Sequence, residues 1–495
     1  LTENEINLLK EEALHAFETL AHDCFVPKNE KEARTSKEWL TSELEEIMEL
    51  IQNGTFEVAK ITDTGQRKPI ACRMVYRAKS DSDGVLSRRK SRYCGKGFLQ
   101  RKYTDYFESR SSVTEHMSVR TLMSVACQLN ATLKTWDIKN AFVSAALPAS
   151  EQLYLELPKN VDLLRSMSPE LDSFLTIKGW TGPVVLKAVR SIYGLVQSPR
   201  RFSQKLTLKL LEMGFTQGIE DEMCFIHPGL NATQAITEAT SFDAAPKTEN
   251  PTKPSPTDLP GPPKQSSSSD GPFQQMVIVG WVDDLLTMSS DSRDDEWFSR
   301  KIQAEFTPSD GSGEDAELFL GMKVERDREK RLLKISCEKA INTLLHSLSN
   351  HLPPTRTFPT PISPDADLDR PTPNATVATT STSDLPESLD RLREGERIIP
   401  EEEFPYRKVI GSVLHMSRTC RPDLALAISE LSRHLGATTD RHVKAAKRML
   451  LYLRKTPDLG IVWHGNLSPL DALRMDTYSD SDWAGNSANR KSRSG

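Results

Sequence analysis

Prolines are concentrated in two short stretches, and this distribution limits where the chain can pack. Of the 30 prolines among 495 residues, eight lie in 239–272 and eight more in 353–386. Segments so rich in Pro, Ser and Thr bury too little apolar surface to offset the entropy that is lost on ordering. We therefore expect three folded parts, at about 35–235, 273–350 and 400–495.

Several protein classes do not fit this sequence. The longest apolar run, Met276 to Val282, is far shorter than the roughly 20 residues that span a bilayer. The N-terminal segment is acidic and amphipathic, unlike a signal peptide, and the seven cysteines are scattered without a Cys-x-x-Cys pair. These features predict reduced thiols, no membrane partner and a cytoplasmic or nuclear location. Because the chain begins with Leu, we expect it to be part of a longer protein, and its oligomeric state stays open.

Positive charge is clustered although the net charge is −5. The segment 85–103 contains seven Lys and Arg residues and no acid, with Tyr93, Phe98 and Tyr103 interleaved. Clustered cations bind phosphates and aromatic rings stack on bases, so the segment favours nucleic-acid binding. A solvated basic strand and turn explains this segment equally well.

A second basic stretch, 440–456, has its apolar residues at helical spacing. Another amphipathic helix is predicted before it, between Leu424 and Leu435, after an Arg-Pro-Asp start signal. Together they predict a helical hairpin with one cationic side. Such a side is more often solvated than bound to a ligand.

Two strand-like apolar segments carry acids at their ends. Asp137 lies in the segment 131–147, and Asp283-Asp284 lies at the predicted turn of a hairpin over 276–288. Carboxylates beside a core need a compensating cation, and Mg²⁺ prefers carboxylate and phosphate oxygens. Asp283-Asp284 taken alone fits an ordinary β-turn as well. Other acidic doublets, among them Asp294-Asp295, lie in charged surroundings and are expected to be solvated.

The order of these and neighbouring motifs resembles the reverse transcriptase of copia-type LTR retrotransposons. The resemblance covers nearly all of 39–495 outside the two proline-rich stretches. The matching segments are Trp39 with 53–58, the basic segment 87–107, WDIKNAF at 136–142, SIYGLVQSPRRF at 191–202, WVDD at 281–284, FLGMKVERD at 319–327, the helical segments 405–434 and 442–460, and the ribonuclease H-like start at 477–495.

This resemblance implies an α/β (α+β) fold of the right-hand polymerase type, with fingers, thumb/connection and a palm built on a small antiparallel sheet. It implies an RNA-directed DNA polymerase that joins a dNTP to a primer 3′-OH with two Mg²⁺ ions, Mn²⁺ being an alternative. The implied partners are an RNA template, a DNA primer, the RNA–DNA hybrid and dNTPs.

The resemblance also assigns roles to single residues. Asp137, Asp283 and Asp284 would bind the metal ions. Phe142 would lie under the sugar and reject ribonucleotides, and Gly194 would let the backbone approach the nucleotide or template. Further candidates are Lys90 and Arg92 for the triphosphate and Asp480, followed by Asp482, for a ribonuclease H remnant.

The expected domain organisation follows the motifs. Fingers are expected at about 60–130, and thumb and connection between about 320 and 460. The expected parts are a helical extension at 1–35, fingers and palm at 36–350 with a disordered insertion at 239–272, a Pro/Thr/Ser-rich linker at 353–395, a helical thumb/connection at 396–470, and a truncated ribonuclease H start at 475–495. Ribonuclease H activity is not expected from this chain.

Two departures from the family pattern keep a second hypothesis open. Trp281 stands where the family usually has Tyr, and the insertion 239–272 interrupts the span before Asp283. Either could reduce turnover. The alternative function is a non-catalytic retrotransposon relic that keeps the fold and binds nucleic acid.

Overall fold

The computed structural model describes residues 25–80, 86–230, 275–363, 368 and 397–465, and everything below concerns these residues. The α-helices are α1 Glu30–Ala33, α2 Lys37–Gln52, α3 His116–Leu129, α4 Ala141–Ser144, α5 Val161–Met167, α6 Pro169–Phe174, α7 Ser198–Glu212, α8 Ser292–Glu305, α9 Glu338–Ser347, α10 Tyr406–Thr419, α11 Ala425–Ser432 and α12 Asp440–Lys455. The strands are β1 Phe56–Lys60, β2 Cys72–Ser80, β3 Leu86–Gly95, β4 Thr132–Asp137, β5 Leu153–Leu155, β6 Val184–Ala188, β7 Thr216–Gln217, β8 Cys224–His227, β9 Met276–Trp281, β10 Asp284–Ser289, β11 Leu318–Phe319, β12 Met322–Asp327, β13 Leu332–Ser336 and β14 Gly460–His464.

A central antiparallel sheet has the strand order β4-β10-β9-β8-β7 in the described residues. Both faces of this sheet are covered. Val277 and Val279 pack into a core that includes α3, whereas Ile278 packs on the other face with Phe202 of α7 and Phe298 of α8. Because both faces of β9 are buried, its sequence is an uninterrupted apolar run. The predicted mixed α/β class with a small antiparallel sheet is confirmed.

The N-terminal part contains a three-stranded sheet of order β1-β6-β5 and the separate β2–β3 hairpin. Helix α2 begins at the N-cap Ser36, whose side chain accepts from the Trp39 N–H. The Trp39 ring is buried and packs edge-on against Tyr76 of β2. This contact fixes α2 on the hairpin that carries Lys90 and Arg92.

The C-terminal helices do not form a separate helical part. Strand β14 follows α12 and pairs with β13, completing a sheet of order β11-β12-β13-β14. One hydrophobic core joins the central sheet, this second sheet and α10–α12. Within the expected helical thumb/connection at 396–470, the structure has α10–α12 and, at Gly460–His464, a strand that contains Ile461, Val462 and Trp463.

Residues 353–363, at the start of the expected linker, contact the cationic side of α12. The Arg448 guanidinium lies 4.3 Å from the Phe358 ring centroid and donates to Thr360 Oγ1 at 2.8 Å. Arg454 donates to a backbone carbonyl at the start of the same segment. The predicted hairpin is present as α11 and α12, but part of its cationic side binds the chain itself.

Several predictions fall outside the described residues. These are most of the N-terminal extension (1–24), the insertion 239–272, most of the linker beyond 363, and the ribonuclease H start with Asp480. No helix in the described ranges is long and apolar enough to cross a membrane. The cysteines that are described carry free thiols.

Candidate active site

The three predicted metal-binding aspartates lie at one end of the central sheet. Asp137 ends β4 and is the direct cross-strand partner of Asp284, the first residue of β10. Asp284 also pairs with Trp281 of β9, so the turn between these strands consists of Val282 and Asp283. Two residues that are 147 positions apart in sequence thus present their carboxylates side by side. The predicted hairpin is present, with Asp284 in its second strand rather than in the turn.

The turn itself is tight and strained. Val282 has φ +58°, a left-handed conformation that β-branched residues rarely adopt. The carbonyl oxygen of Asp283 accepts a hydrogen bond from the Ile138 N–H at 3.1 Å. The turn is therefore held against the residues that follow Asp137.

The loop 309–312 forms hydrogen bonds with the backbone of Asp137. The Asp137 N–H donates to Ser312 Oγ at 3.1 Å, and Ser312 Oγ lies 3.2 Å from the Asp137 carbonyl oxygen, to which it donates. The Ser309 N–H donates to the same carbonyl at 2.7 Å. Both backbone polar groups of Asp137 are thereby satisfied, which leaves its exposed side chain available for ligand binding.

The carboxylates repel one another. Burial, followed by the charges of Asp283 and Asp137, raises the pKa of Asp284 to about 6. Burial also raises the pKa of Asp283, and the charge of Asp137 adds to this; a hydrogen bond from its own backbone lowers it. The positive charges of Arg92 and Lys90 lower the pKa of Asp283 too, so the structure brings these two predicted residues within electrostatic range of it.

In the described ranges no ion pair neutralises these aspartates, although Arg92 and Lys90 act on Asp283 at longer range. No Lys or Arg lies within ion-pair distance of Asp137, Asp283 or Asp284. Their donor chemistry, three carboxylates with uncompensated charge, fits a hard divalent ion such as Mg²⁺. With the side chains as they stand, however, no group of three or more His, Cys, Asp or Glu in the described ranges is gathered closely enough to hold a metal ion. Binding would require the carboxylates to reorient.

An aromatic stack connects the basic strand with the aspartates. The Arg92 guanidinium lies 4.4 Å from the Tyr193 ring centroid, and Tyr193 packs edge-on against Phe142 at 5.1 Å. Burial raises the pKa of Tyr193 to about 12 despite the opposing charge of Arg92, and the charges of Asp283 and Asp137 also raise it. Sequence reasoning missed Tyr193, although it directly precedes the glycine that was singled out.

Gly194 makes a close backbone approach, but to the protein itself. It has φ +86°, and a Cβ at this position would lie 2.2 Å from the Gly95 carbonyl oxygen. The Gly95 N–H donates to the Tyr193 carbonyl, and the Gly97 N–H donates to the Gly194 carbonyl. The glycine is thus required for docking its turn on the end of β3, and its predicted contact with a nucleotide or template stays a prediction.

Side chains of helix α2 accept hydrogen bonds from the edge of β3 that does not pair with β2. Ser42 Oγ accepts from the Ser91 N–H at 3.0 Å, and Glu46 Oε1 accepts from the Tyr93 N–H at 3.1 Å. Two side chains one helical turn apart therefore satisfy alternate backbone donors of the strand. Because side chains alternate along a strand, Arg92 lies on the opposite face of β3 from the buried side chains of Ser91 and Tyr93.

Trp281 packs against a histidine that contacts a second histidine. Its ring stacks on His116, the first residue of α3, with centroids 5.3 Å apart and planes at 22°. His116 in turn contacts His415 of α10 edge-on at 5.8 Å. The large ring is accommodated by these contacts.

Comparison with known proteins agrees with the motifs. Residues 53–232 match the family described as reverse transcriptase (RNA-dependent DNA polymerase). The chain is 25% identical over 474 residues to the Retrovirus-related Pol polyprotein from transposon TNT 1-94 of Nicotiana tabacum, which covers 95% of this chain and 29% of that protein. It is 27% identical over 427 residues to the corresponding polyprotein from transposon RE2 of Arabidopsis thaliana, covering 86% of this chain and 23% of that protein.

Among solved structures, the foamy viral protease-reverse transcriptase dRH in complex with ds DNA aligns with a TM-score of 0.36 at 12% identity, covering 83% of this chain and 47% of that one. The chain spans about a quarter of the length of the two Pol polyproteins. The resemblance inferred from the motifs is confirmed: over most of its length the chain is similar to copia-type retrotransposon Pol polyproteins, and it contains a reverse transcriptase domain at residues 53–232.

Proposed function

We propose that this chain is an RNA-directed DNA polymerase, which transfers a nucleotide from a dNTP to a primer 3′-OH. The observation that supports it best is the pairing of Asp137 with Asp284 across two strands, with Asp283 in the adjoining turn. Three carboxylates at the end of a rigid sheet, none of them in an ion pair within the described ranges, suit the binding of divalent ions and substrate phosphates.

Asp137, Asp283 and Asp284 would hold the metal ions. When bound, Mg²⁺ stabilises negative charge on the attacking and leaving oxygens of an in-line phosphoryl displacement. The protein contributes the fixed positions of the carboxylates, through the β4–β10 pairing and the hydrogen bonds of Asp137 to Ser312.

The surrounding residues would select and orient the nucleotide. Lys90 and Arg92 would bind the triphosphate, since both act electrostatically on Asp283. Phe142, packed against Tyr193, would lie under the sugar, where a 2′-OH would meet its ring. Gly194 would fix the relation between this aromatic pair and β3 through its contact with Gly95.

Primer extension tests this proposal. The parent chain is incubated with an RNA template, an annealed DNA primer, dNTPs and Mg²⁺, beside Asp283→Asn as the inactive control. We expect extension by the parent and none by the variant, with equal binding of the hybrid by both. Binding of the hybrid without extension by the parent would refute the polymerase and support the non-catalytic alternative.

A further inference from the structure

Residues 353–363, the strap, run along α12 and expose one threonine to solvent. Phe358 and Ile362, which lie on either side of Thr360 in the chain, are partly buried and pack against the hydrophobic core. Thr360 itself is exposed. Its hydroxyl is therefore presented from a segment that is held on both sides.

Thr360 has the sequence context that proline-directed protein kinases accept. Pro361 follows it, and the residue before a proline is biased towards an extended conformation. A serine also precedes a proline at Ser168 and at Ser198, but these two serines are buried at the starts of α6 and α7. The fold thus leaves Thr360 accessible to a kinase and covers the other two hydroxyls.

An arginine lies beside the Thr360 hydroxyl with an unused donor. Arg448 Nη2 donates to Thr360 Oγ1 at 2.8 Å, whereas Arg448 Nε is buried and has no hydrogen-bond partner among the described residues. A buried donor without an acceptor is destabilising. A phosphate on Oγ1 would bring three acceptor oxygens to this guanidinium, which can bind a phosphate through two parallel hydrogen bonds.

Positive charge is concentrated around the same hydroxyl. The guanidinium carbons of Arg356 and Arg448 lie 4.8 Å and 4.3 Å from the Phe358 ring centroid. Lys444 is exposed one helical turn before Arg448. The strap contains no acid, and neither arginine forms an ion pair within the described ranges. A group with negative charge on Thr360 would therefore relieve repulsion between these cations.

We propose that Thr360 is a phosphorylation site for a proline-directed kinase, and that Arg448 and Arg356 bind the phosphate and so fix the strap to α12. In the transfer, the bond from Thr360 Oγ1 to the γ-phosphorus of ATP forms as the bond from that phosphorus to the ADP oxygen breaks, and the hydroxyl proton is released. The product carries nearly two negative charges beside Arg448. Neither step involves the proposed polymerase site.

Phosphorylation in vitro tests the acceptor residue. The full chain is incubated with ATP and a purified proline-directed kinase, and the modified residues are located by mass spectrometry of its peptides. We expect phosphate on Thr360 in the parent and in Thr357→Ala, and none at this position in Thr360→Ala. Thr357 is the matched control, because it is an exposed threonine of the strap that no proline follows. Ser168 and Ser198 should stay unmodified.

Phosphorus NMR of the phosphorylated proteins over a range of pH tests the arginine contacts. In the parent the second pKa of the phosphate should lie below its ordinary value of about 6, because the arginines favour the dianion. Arg448→Gln and Arg356→Ala each remove one cation and should return the pKa towards that value. The exposed Arg356 side chain can be replaced without disturbing the core, so this variant keeps the test valid if Arg448→Gln does not fold.

Hydrogen exchange measures whether the phosphate fixes the strap. Phosphorylation of the parent should slow exchange in 353–363 about tenfold, the effect of one added charge-assisted hydrogen bond. The same modification should slow exchange less in Arg448→Gln and in Arg356→Ala.

Two results would overturn the proposal. One is an unmodified Thr360 in the full chain under conditions in which the same kinase modifies a standard peptide substrate. The other is a phosphate on Thr360 whose pKa and effect on hydrogen exchange are the same in the parent and in the arginine variants, which would mean that the phosphate is simply solvated.

Discussion

Two pairs of adjacent aspartates, Asp283-Asp284 and Asp294-Asp295, lie close together in sequence and differ in how the fold accommodates their charge. The sequence analysis expected Asp294-Asp295 to be solvated, and this prediction was wrong. Asp294 and Asp295 are only 4% and 5% exposed, less than the proposed catalytic pair. Burial of an acidic pair is therefore not what distinguishes a reactive site in this molecule.

The difference lies in their hydrogen-bond partners. Asp294 accepts from the Leu230 N–H at 2.9 Å, and Asp295 Oδ2 accepts from the Thr132 hydroxyl at 2.9 Å, while Asp295 Oδ1 is buried without a hydrogen-bond partner among the described residues. Both lie in the first turn of α8, where the helix dipole favours negative charge. Asp284 has Asp137 directly opposite and Asp283 beside it, and neither offers a proton donor. Asp294-Asp295 is held by contacts within the fold, whereas the mutual repulsion of Asp137, Asp283 and Asp284 is what a bound cation would relieve.

The largest expected effect comes from neutralising one member of the proposed catalytic pair. Asp284→Asn should reduce primer extension at least a hundredfold, about 2.7 kcal/mol in the activation barrier, because a metal-binding carboxylate is lost. The same variant should gain about 0.5–1 kcal/mol of unfolding free energy without Mg²⁺, because like charges directly opposite in a sheet are destabilising. Extension assays and urea unfolding measure the two effects. If Asp284→Asn loses stability as well as activity, Asp284 has a structural role. The contrast between Asp283-Asp284 and Asp294-Asp295 would then be wrong.

A third buried acid, Glu46, belongs with the partnered group and should titrate without affecting chemistry directly. Burial raises its pKa from 4.5 to about 7, although the hydrogen bond from the Tyr93 N–H lowers it. The folded state thus holds its proton more tightly than the unfolded chain. Its stabilising contribution is complete below pH 4.5 and is lost as the pH rises through 7.

Glu46→Gln removes this titration and keeps an acceptor for the Tyr93 N–H. Relative to the variant, the unfolding free energy of the parent should fall by up to about 3 kcal/mol between pH 4.5 and pH 8. Urea unfolding of both proteins at several pH values measures this difference. A constant difference across the range would show that the pKa of Glu46 is the same in the folded and unfolded states.

Replacing Asp294 should lower the free energy of unfolding without reducing primer extension. Asp294→Ala leaves the partly buried N–H of Leu230 without its acceptor, which should lower the unfolding free energy by about 1–2 kcal/mol. Extension per folded molecule, measured below the unfolding transition, should stay within about twofold of the parent. A hundredfold loss of extension in a folded Asp294→Ala protein would contradict the division into structural and reactive pairs.

The sequence predicted elements well where local pattern decides them. The apolar run of β9, the strand that ends at Asp137 and the helix over Asp440–Lys455 follow from residue periodicity. The partners of the acids could not be predicted, because Leu230 lies 64 residues from Asp294 and Thr132 lies 163 residues from Asp295.

Other features of the site depend on similar long-range contacts. The Glu46 side chain reaches the Tyr93 N–H 47 residues away, and Gln100 reaches Gln197 at a separation of 97 residues. Strand β14 was missed for a related reason: its run of strand formers is short, and its pairing partner β13 precedes it by more than 120 residues. Motif resemblance located Asp137, Asp283 and Asp284, while tertiary packing determines their electrostatics.

The direct response of each pair to Mg²⁺ tests the comparison without any need for activity. If Asp283-Asp284 binds the ion, Mg²⁺ at ten times the dissociation constant should stabilise the folded parent by about 1.4 kcal/mol. Asp284→Asn should lose most of this gain, because it removes a ligand and the repulsion that the ion relieves. Asp295→Asn is the matched control, since Asp295 is buried and accepts from Thr132, and it should keep the full gain. Unfolding in MgCl₂ is compared with unfolding in NaCl at equal ionic strength, so that general screening cancels. Equal stabilisation of both variants would show that Mg²⁺ acts elsewhere on the protein, and the uncompensated charge of Asp283-Asp284 would then need a different ligand.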